Sequence, residues 1–253
     1  MRIVSLSPAS TEILFALGHG SEIAATDQFS DNPEAAKRIP HLNGHTDIVI
    51  EDIAAHHPDI ILTETVVQEK LATMLKQRGF PVFHQDPRTL GAVFDAIHAL
   101  GVLTDDEDRS RAFIRSLKNE MDGIRMRSKL LPKKPKVYCE EWLNPPMVSG
   151  NWVPELVTLA GAIPFPIKPG ELSREVTFQE VAAFDPDLIV LSWCGAGAKQ
   201  SAEPLFNRAG WQELRAVREK RVKVIDDSLL NRPGPRLLDG ARMLYGWLFE
   251  MLH

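Results

Sequence analysis

The sequence predicts an α/β fold built as two Rossmann-like lobes with central, mostly parallel sheets, joined by one long backbone helix, with a ligand cleft between the lobes. Three observations predict it. The segment Ile50-Glu51-Asp52-Ile53-Ala54-Ala55-His56-His57-Pro58-Asp59-Ile60-Ile61-Leu62 returns as Phe178-Gln179-Glu180-Val181-Ala182-Ala183-Phe184-Asp185-Pro186-Asp187-Leu188-Ile189-Val190, at a constant offset of 128 residues. Each copy reads as a short helix, a Pro-Asp corner and a β-branched strand buried on both faces. Between the copies, Thr104–Leu131 reads as a single charged helix. Its apolar residues Phe113, Ile114, Leu117, Met121 and Ile124 fall on one face. Elsewhere strand-like and helix-like segments alternate, the pattern of parallel sheets. The boundaries that follow are 1–103 for the first lobe, 104–131 for the helix and 132–253 for the second lobe.

In the first lobe, Ile3–Leu6 is a strand, and Ser7 caps a helix that has Pro8 at its first position and ends at Gly18. This sets a polar helix N-terminus, Ser7 and Pro8, at the carboxyl edge of a sheet, where open α/β folds bind ligands. Ile23–Thr26 is a second strand, followed by a polar loop with one aromatic, Phe29. The first repeat copy supplies strand Ile60–Leu62, which ends in Thr63-Glu64-Thr65. A helix over 68–78, a strand over 81–84 and a helix over 89–102 complete the lobe.

The connecting helix is expected to start with Thr104 as its cap and Glu107 completing a capping box; Pro132 stops it. At about 25 residues it reaches roughly 37 Å. The second lobe opens with strand Lys136–Glu140 and a non-helical loop through Trp152, rich in proline, that carries Trp142 and Met147. A helix starts at Pro154. The second repeat copy ends in Ser192-Trp193-Cys194-Gly195-Ala196-Gly197. Strand Val222–Ile225, the loop through Arg236 and a closing helix over 237–252 finish the chain.

A chain of 253 residues, 44% hydrophobic and 25% charged, is ordinary for a globular protein. The net charge of −5 and the lack of a basic run argue against nucleic acid as a partner. No apolar run approaches 18 residues, so no membrane span is expected. The chain opens straight on a strand without the pattern of an export signal. Its compartment is therefore expected to be cytoplasmic as written, or extracytoplasmic after removal of a leader. Cys139 and Cys194 are expected as free thiols.

The candidate chemistry narrows by elimination. Seven histidines precede the long helix and only His253 follows it, which excludes a metal site of histidines from both lobes. His41 and His45 read as solvated loop residues. Gly195-x-Gly197 lacks the third glycine of a dinucleotide fingerprint, where Gln200 stands. Cys194 has no histidine in its lobe before the terminal His253 and reads as a buried thiol. Glu140 and Glu141 at a strand end read as a solvated edge. Trp142, Met147, Trp152 and Trp193 fall at carboxyl ends of second-lobe strands, with Phe29 in the corresponding place of the first lobe. Residues of this kind suit a large, flat, partly apolar ligand, and Arg232 and Arg236 could hold its carboxylate, amide or phosphate groups.

The combination of Val4-Ser5-Leu6-Ser7-Pro8-Ala9-Ser10-Thr11-Glu12-Ile13-Leu14, the Ser30-Asp31-x-Pro33 loop, both Pro-Asp strands, Asn144-Pro145-Pro146-x-x-Ser149-Gly150 and Arg232-Pro233-Gly234-Pro235-Arg236 resembles the cobalamin-binding proteins of vitamin B12 ABC importers. These belong to the helical-backbone class (class III) of periplasmic binding proteins, which also holds ferric-siderophore and haem binders. The resemblance covers nearly the whole chain. It implies a non-enzymatic, monomeric binding protein without intrinsic cofactor or metal, extracytoplasmic, delivering cobalamin or a related tetrapyrrole to a permease dimer. Phe29 and Met147 match corrin-contacting positions, and Ser228 to Arg232 match the loop that holds the corrin side chains. Glu64 stands near an expected tryptophan. Glu69 matches a permease-docking acid, and Glu180 lies beside the second such position, Gln179. The alternatives are ferric-siderophore or haem binding on the same scaffold, or a cytoplasmic corrinoid-salvage or chelatase-like protein.

Overall fold

A computed structural model describes residues 1–197 and 200–253. The chain divides into two compact units, Met1–Pro87 with Gly91–Ser116, and Arg88–Leu90 with Leu117–His253.

The first unit contains β1 (Ile3–Ser5), α1 (Pro8–Ala16), β2 (Ile23–Asp27), β3 (His41–Leu42), α2 (Ile50–Ala55), β4 (Ile60–Glu64), α3 (Glu69–Gln77), β5 (Val82–Gln85) and most of α4 (Leu90–Leu103). Its five strands lie in the order β3-β2-β1-β4-β5, all parallel. Val4, Leu6, Ala25, Ile53, Ile61 and Leu75 form the core beneath them. Ser7 does cap α1, its Oγ accepting from the Ser10 N–H at 3.0 Å. The Pro-Asp corner has a definite task. Asp59 donates its N–H to the Arg2 carbonyl at 2.8 Å, and its carboxylate accepts the Arg2 N–H at 2.6 Å. This fixes β4 alongside β1.

The long helix is α5 (Glu107–Ser128), 22 residues, which gives Glu107–Ser116 to the first unit and Leu117–Ser128 to the second. Thr104 is not its cap. The Thr104 hydroxyl donates back to the Leu100 carbonyl at 2.9 Å, closing α4, and Asp105 turns the chain at φ +55°. A threonine can bond to the carbonyl four residues before it as readily as it can cap the next helix, and here the earlier helix holds it. Gly101 allows α4 and α5 to approach, since a side chain there would meet Ser110 at 2.4 Å. The apolar face of α5 is as expected, with Leu117 and Ile124 buried.

The second unit holds β6 (Lys136–Trp142), β7 (Met147–Val148), α6 (Val153–Leu159), β8 (Ile163–Pro164), β9 (Arg174–Glu175), α7 (Phe178–Phe184), β10 (Leu188–Leu191), α8 (Glu203–Phe206), α9 (Arg215–Arg218), β11 (Val222–Val224) and α10 (Leu237–Leu252). The sheet runs β11-β10-β6-β7-β9, with β8 beside β6. Strands β11, β10, β6 and β8 pair in parallel, while β7 pairs antiparallel with both β6 and β9. The stretch read as a loop after Glu140 is thus partly strand: β6 runs on to Trp142, and Met147 pairs back against it. Asp187 repeats the clamp of Asp59, giving its N–H to the Lys136 carbonyl and accepting the Lys136 N–H, both at 2.8 Å. Among the described residues no helix is long and apolar enough to cross a membrane.

Glu140 is the polar centre of this unit and not a solvated edge. It is fully buried and accepts both Nη atoms of Arg208 at 2.8 Å, the Tyr138 hydroxyl at 2.9 Å and the Trp193 Nε1–H at 2.9 Å. Arg208 also donates to the Leu143 carbonyl and lies 4.2 Å from the centre of the Trp211 ring. Removing one member of such a pair strands the other charge out of water. Arg208→Ala is expected to destabilise the protein by about 3–5 kcal/mol, whereas the double variant Glu140→Gln/Arg208→Met recovers much of that loss. Urea denaturation of the three proteins checks this, and an unaltered midpoint for Arg208→Ala would refute it.

Candidate functional site

Carboxyl ends of parallel strands are where α/β sheets receive ligands. In the first unit, β1, β2 and β4 end in Ser5, Asp27 and Glu64, and all three are buried. The Thr11 hydroxyl donates to Ser5 Oγ at 2.8 Å and lies 3.1 Å from Ser30 Oγ, which donates to Asp27 Oδ1 at 2.7 Å. The other oxygen, Asp27 Oδ2, meets His45 Nδ1 at 2.8 Å. Buried Gln68 braces the same edge, donating to the Leu6 and His45 carbonyls and accepting the Glu64 N–H. Phe29 stays 38% exposed, its ring edge-on to His45 at 5.6 Å.

Glu64 sits against the N-terminus of α1. Its Oε2 accepts from Ser7 Oγ at 2.7 Å, while Oε1 is buried without a hydrogen-bond partner. Burial, opposed by the Ser7 bond and reinforced by Glu12 and Asp27, pushes its pKa up to about 8. At neutral pH the group is a protonated acid, and an unpartnered oxygen costs far less in that form than on a carboxylate. Thr65 follows with a positive φ of +59° and an extended ψ of 162°, rare for a β-branched residue. The residues predicted from the first lobe therefore divide: Ser7, Pro8 and Glu64 gather at one buried edge, and Phe29 stands exposed beside it.

The second unit's edge looks different. Trp142 is 46% exposed, with Nε1–H donated to the Asn144 carbonyl, and half-buried Met147 pairs beside it in the hairpin. Trp152 and Trp193, expected to face a ligand, are buried in the lobe and spend their N–H groups on the Leu230 carbonyl and Glu140. The expectation is corrected for these two: the strand ends that carry them turn their indoles inward, where a donor and a large ring are both satisfied. Ser228 is buried, its hydroxyl turned to Asp226 at 2.6 Å. Half-buried Arg232 and Arg236 each engage within the protein. Asn231 donates to the Ser192 carbonyl and to Cys194 Sγ, tying the end of β10 to this loop.

The paired glycines after β10 hold an internal anion: the N–H groups of Gly195 and Gly197 donate to the carboxylate of Asp227 at 3.0 and 2.9 Å. Both glycines have positive φ, the conformation that lets successive N–H groups converge on one anion. Cys139 and Cys194 are free thiols. Desolvation raises both to about 12, with Glu141 and Asp227 adding to the effect at Cys194. Cys139 is buried, but Cys194, expected to be buried, is exposed in the turn after β10. Neither is an activated nucleophile. Glu141 is also pushed upward by burial, against the bond from Ser173 Oγ at 2.6 Å.

Of the expected docking acids, Glu69 is exposed at the start of α3 beside exposed Val66 and Val67. Glu180 is committed within the lobe, accepting from Thr177 in a capping box and from Arg174 at 2.8 Å. Sequence reasoning missed the Asp27–His45 pair, because His45 lies 18 residues beyond its partner in a loop. The available signal was the Asp27-x-x-Ser30 turn at a strand end.

A family model described as periplasmic binding protein matches residues 3–229. The chain belongs to that family. It is 26% identical over 98% of its length, and 88% of the relative's, to the vitamin B12-binding protein of Vibrio cholerae. It is also 25% identical, over 96% of its length and 78% of the relative's, to the ABC transporter substrate-binding lipoprotein YvrC of Bacillus subtilis. Among solved structures, the periplasmic haem-binding protein RhuT of Roseiflexus sp. aligns with a TM-score of 0.87 at 22% identity, covering 100% of this chain and 99% of that one. Like other periplasmic binding proteins it pairs two α/β units with one long helix. Among the described residues no group of three or more His, Cys, Asp or Glu side chains could hold a metal ion.

Glu64 makes stability depend on pH. Its pKa is raised from the unfolded value of 4.5, so the folded state binds the extra proton. The associated stability is complete below about pH 4.5 and is lost as pH rises to about 8, on the order of 3–5 kcal/mol in all. Glu64→Gln is expected to flatten this fall. Denaturation midpoints between those limits check it, and equal slopes in both proteins would refute the assignment.

Proposed function

We propose that this periplasmic binding protein is the substrate-binding component of an ABC importer, and that its cargo is a corrinoid of the cobalamin type. The observation that carries the reading is the similarity over 98% of the chain to a vitamin B12-binding protein. The exposed aromatic Phe29 at the first unit's edge supports a flat, partly apolar ligand, and Trp142 and Met147 offer apolar surface at the second unit's own edge. The reading puts the protein's work outside the cytoplasmic membrane, in keeping with the family description and with the lipoprotein name of the B. subtilis relative. Glu69, exposed on α3 next to Val66 and Val67, is the docking acid for a permease. Glu180 serves less well, since Thr177 and Arg174 already hold its carboxylate. A processing enzyme is disfavoured by the same chemistry: Glu140 is saturated by four donors, and both thiols are held protonated.

Isothermal titration with cyanocobalamin is expected to give one-to-one binding, micromolar or tighter, about −8 kcal/mol or better. Phe29→Ala is expected to weaken it about tenfold or more. Tight binding of haem or a ferric siderophore, with none of cyanocobalamin, would reassign the cargo.

A further inference from the structure

We propose that the end of α5 and the turn beyond it form a docking surface for an anionic phospholipid bilayer. Met126 and Leu130 enter the headgroup layer, and Arg127, Lys129, Lys133 and Lys134 meet its phosphates. The surface belongs to the second unit and shares no residue with the candidate ligand site, so the inference does not depend on the cargo.

The sequence sets up the charge. From Gly123 to Cys139 there are six basic residues, Arg125, Arg127, Lys129, Lys133, Lys134 and Lys136, and no acidic one, in a chain whose net charge is −5. Cations near a helix C-terminus oppose its dipole, which accounts for Arg125, Arg127 and Lys129. It does not account for Lys133 and Lys134, which follow Pro132 outside the helix. Part of the charge is spent within the protein: Arg125 pairs with Asp122, Lys136 Nζ donates to the Phe184 carbonyl at 3.0 Å, and Lys133 stands within electrostatic reach of Asp187. Arg127 bonds through Nε to the Gly123 carbonyl of its own helix, and among the described residues Lys129 and Lys134 form no ion pair. All three are exposed.

The apolar half of the surface is less expected. Leu130 is 80% exposed and Met126 70%, the highest values for large apolar side chains among the described residues. They are neighbours. The Lys129 N–H donates to the Arg125 carbonyl and the Leu130 N–H to the Arg127 carbonyl, so the chain winds on past Ser128 and brings Leu130 beside Met126. The turn is anchored from beneath at Gly161, where a Cβ would meet Leu131 Cδ1 at 2.9 Å and the Ser128 carbonyl oxygen at 3.0 Å. One exposed leucine is ordinary. Two large apolar side chains held together among unpaired cations fit one partner well: the boundary of an anionic bilayer, where apolar tips reach the acyl chains and cations stay at the phosphates. Nucleic acid fits less well, because no aromatic stands between Gly123 and Val137 to stack on a base.

The surface lies at the amino end of β6, which begins at Lys136, whereas Trp142 and Met147 stand at its carboxyl end. Seven residues of strand separate the two by about 20 Å. A bilayer bound at the turn therefore leaves the second unit's carboxyl edge clear of the lipid.

The test is co-sedimentation of the intact protein with vesicles of phosphatidylcholine alone, or of equal parts phosphatidylcholine and phosphatidylglycerol. Binding is expected to the anionic vesicles only, and to be lost at about 0.5 M salt, where screening shortens to a few ångströms. Lys129→Glu/Lys134→Glu should lower partitioning about tenfold or more. Met126→Ser/Leu130→Ser, which leaves the charge unchanged, should lower it about fivefold or more. All four side chains are exposed, so both variants are expected to fold, and circular dichroism verifies it. Equal binding to both vesicle types, no binding to either, or partitioning unchanged in both variants would overturn the inference. So would duplex DNA that competes the protein off anionic vesicles and binds it more tightly than they do.

Discussion

The fold depends on one small interaction made twice. In each unit, an aspartate directly after a proline gives its N–H to the carbonyl, and its carboxylate to the N–H, of the residue at the start of the first strand: Asp59 with Arg2, Asp187 with Lys136. The proline ends the preceding helix, and the aspartate sets the register of the next strand before the apolar run begins. With β4 fixed beside β1, and β10 beside β6, the following strands β5 and β11 take the next places outward. Everything at the carboxyl ends inherits its position from these two clamps, because a slip of one residue would turn Glu64 or Leu191 to the opposite face.

That same repetition explains how much of the fold could be read from the residues. A Pro-Asp corner and an apolar run leave a local, periodic signature, so the parallel core and the long helix were legible. The short strands β3, β7, β8 and β9 were not. Each is two residues long and pairs with a neighbour distant in sequence, such as Met147 with Glu175 and Ile163 with Lys136. Thr104 failed for a related reason: its hydroxyl had two helices within reach, and composition could not rank them.

The site was legible by residue type and less so by orientation. Aromatic strand ends were found, but a strand's pleat sends alternate side chains to opposite faces, and loop exits escape even that rule. Trp152 and Trp193 went inward because Leu230 and Glu140 offered acceptors there, a fact of tertiary structure alone. Polar pairing at long separation was equally hidden. Glu140 and Arg208 are 68 residues apart, and Asp27 and His45 are 18 apart, with nothing local to announce either bond.

Each taken by itself, the two carboxyl edges differ in what they leave open. In the second unit most donors have met their acceptors: Gly195 and Gly197 close on Asp227, Arg208 on Glu140 and Asn231 on Ser192, with the buried Ser149 hydroxyl left unpartnered. Such an edge is rigid, and its remaining offering is shape and apolar surface at Trp142 and Met147. The first unit keeps unpartnered buried oxygens at two strand ends, the Oε1 of Glu64 at the end of β4 and the Oε1 of Gln85 at the end of β5. Directional chemistry is thereby weighted toward the first unit's edge. A saturated edge can only accommodate a ligand, whereas an edge with open donors and acceptors can discriminate among ligands of the same outline. On that ground, exchanging residues between related binding proteins of this family should move specificity through the loops after β2, β3 and β4, and should move stability through the network around Glu140.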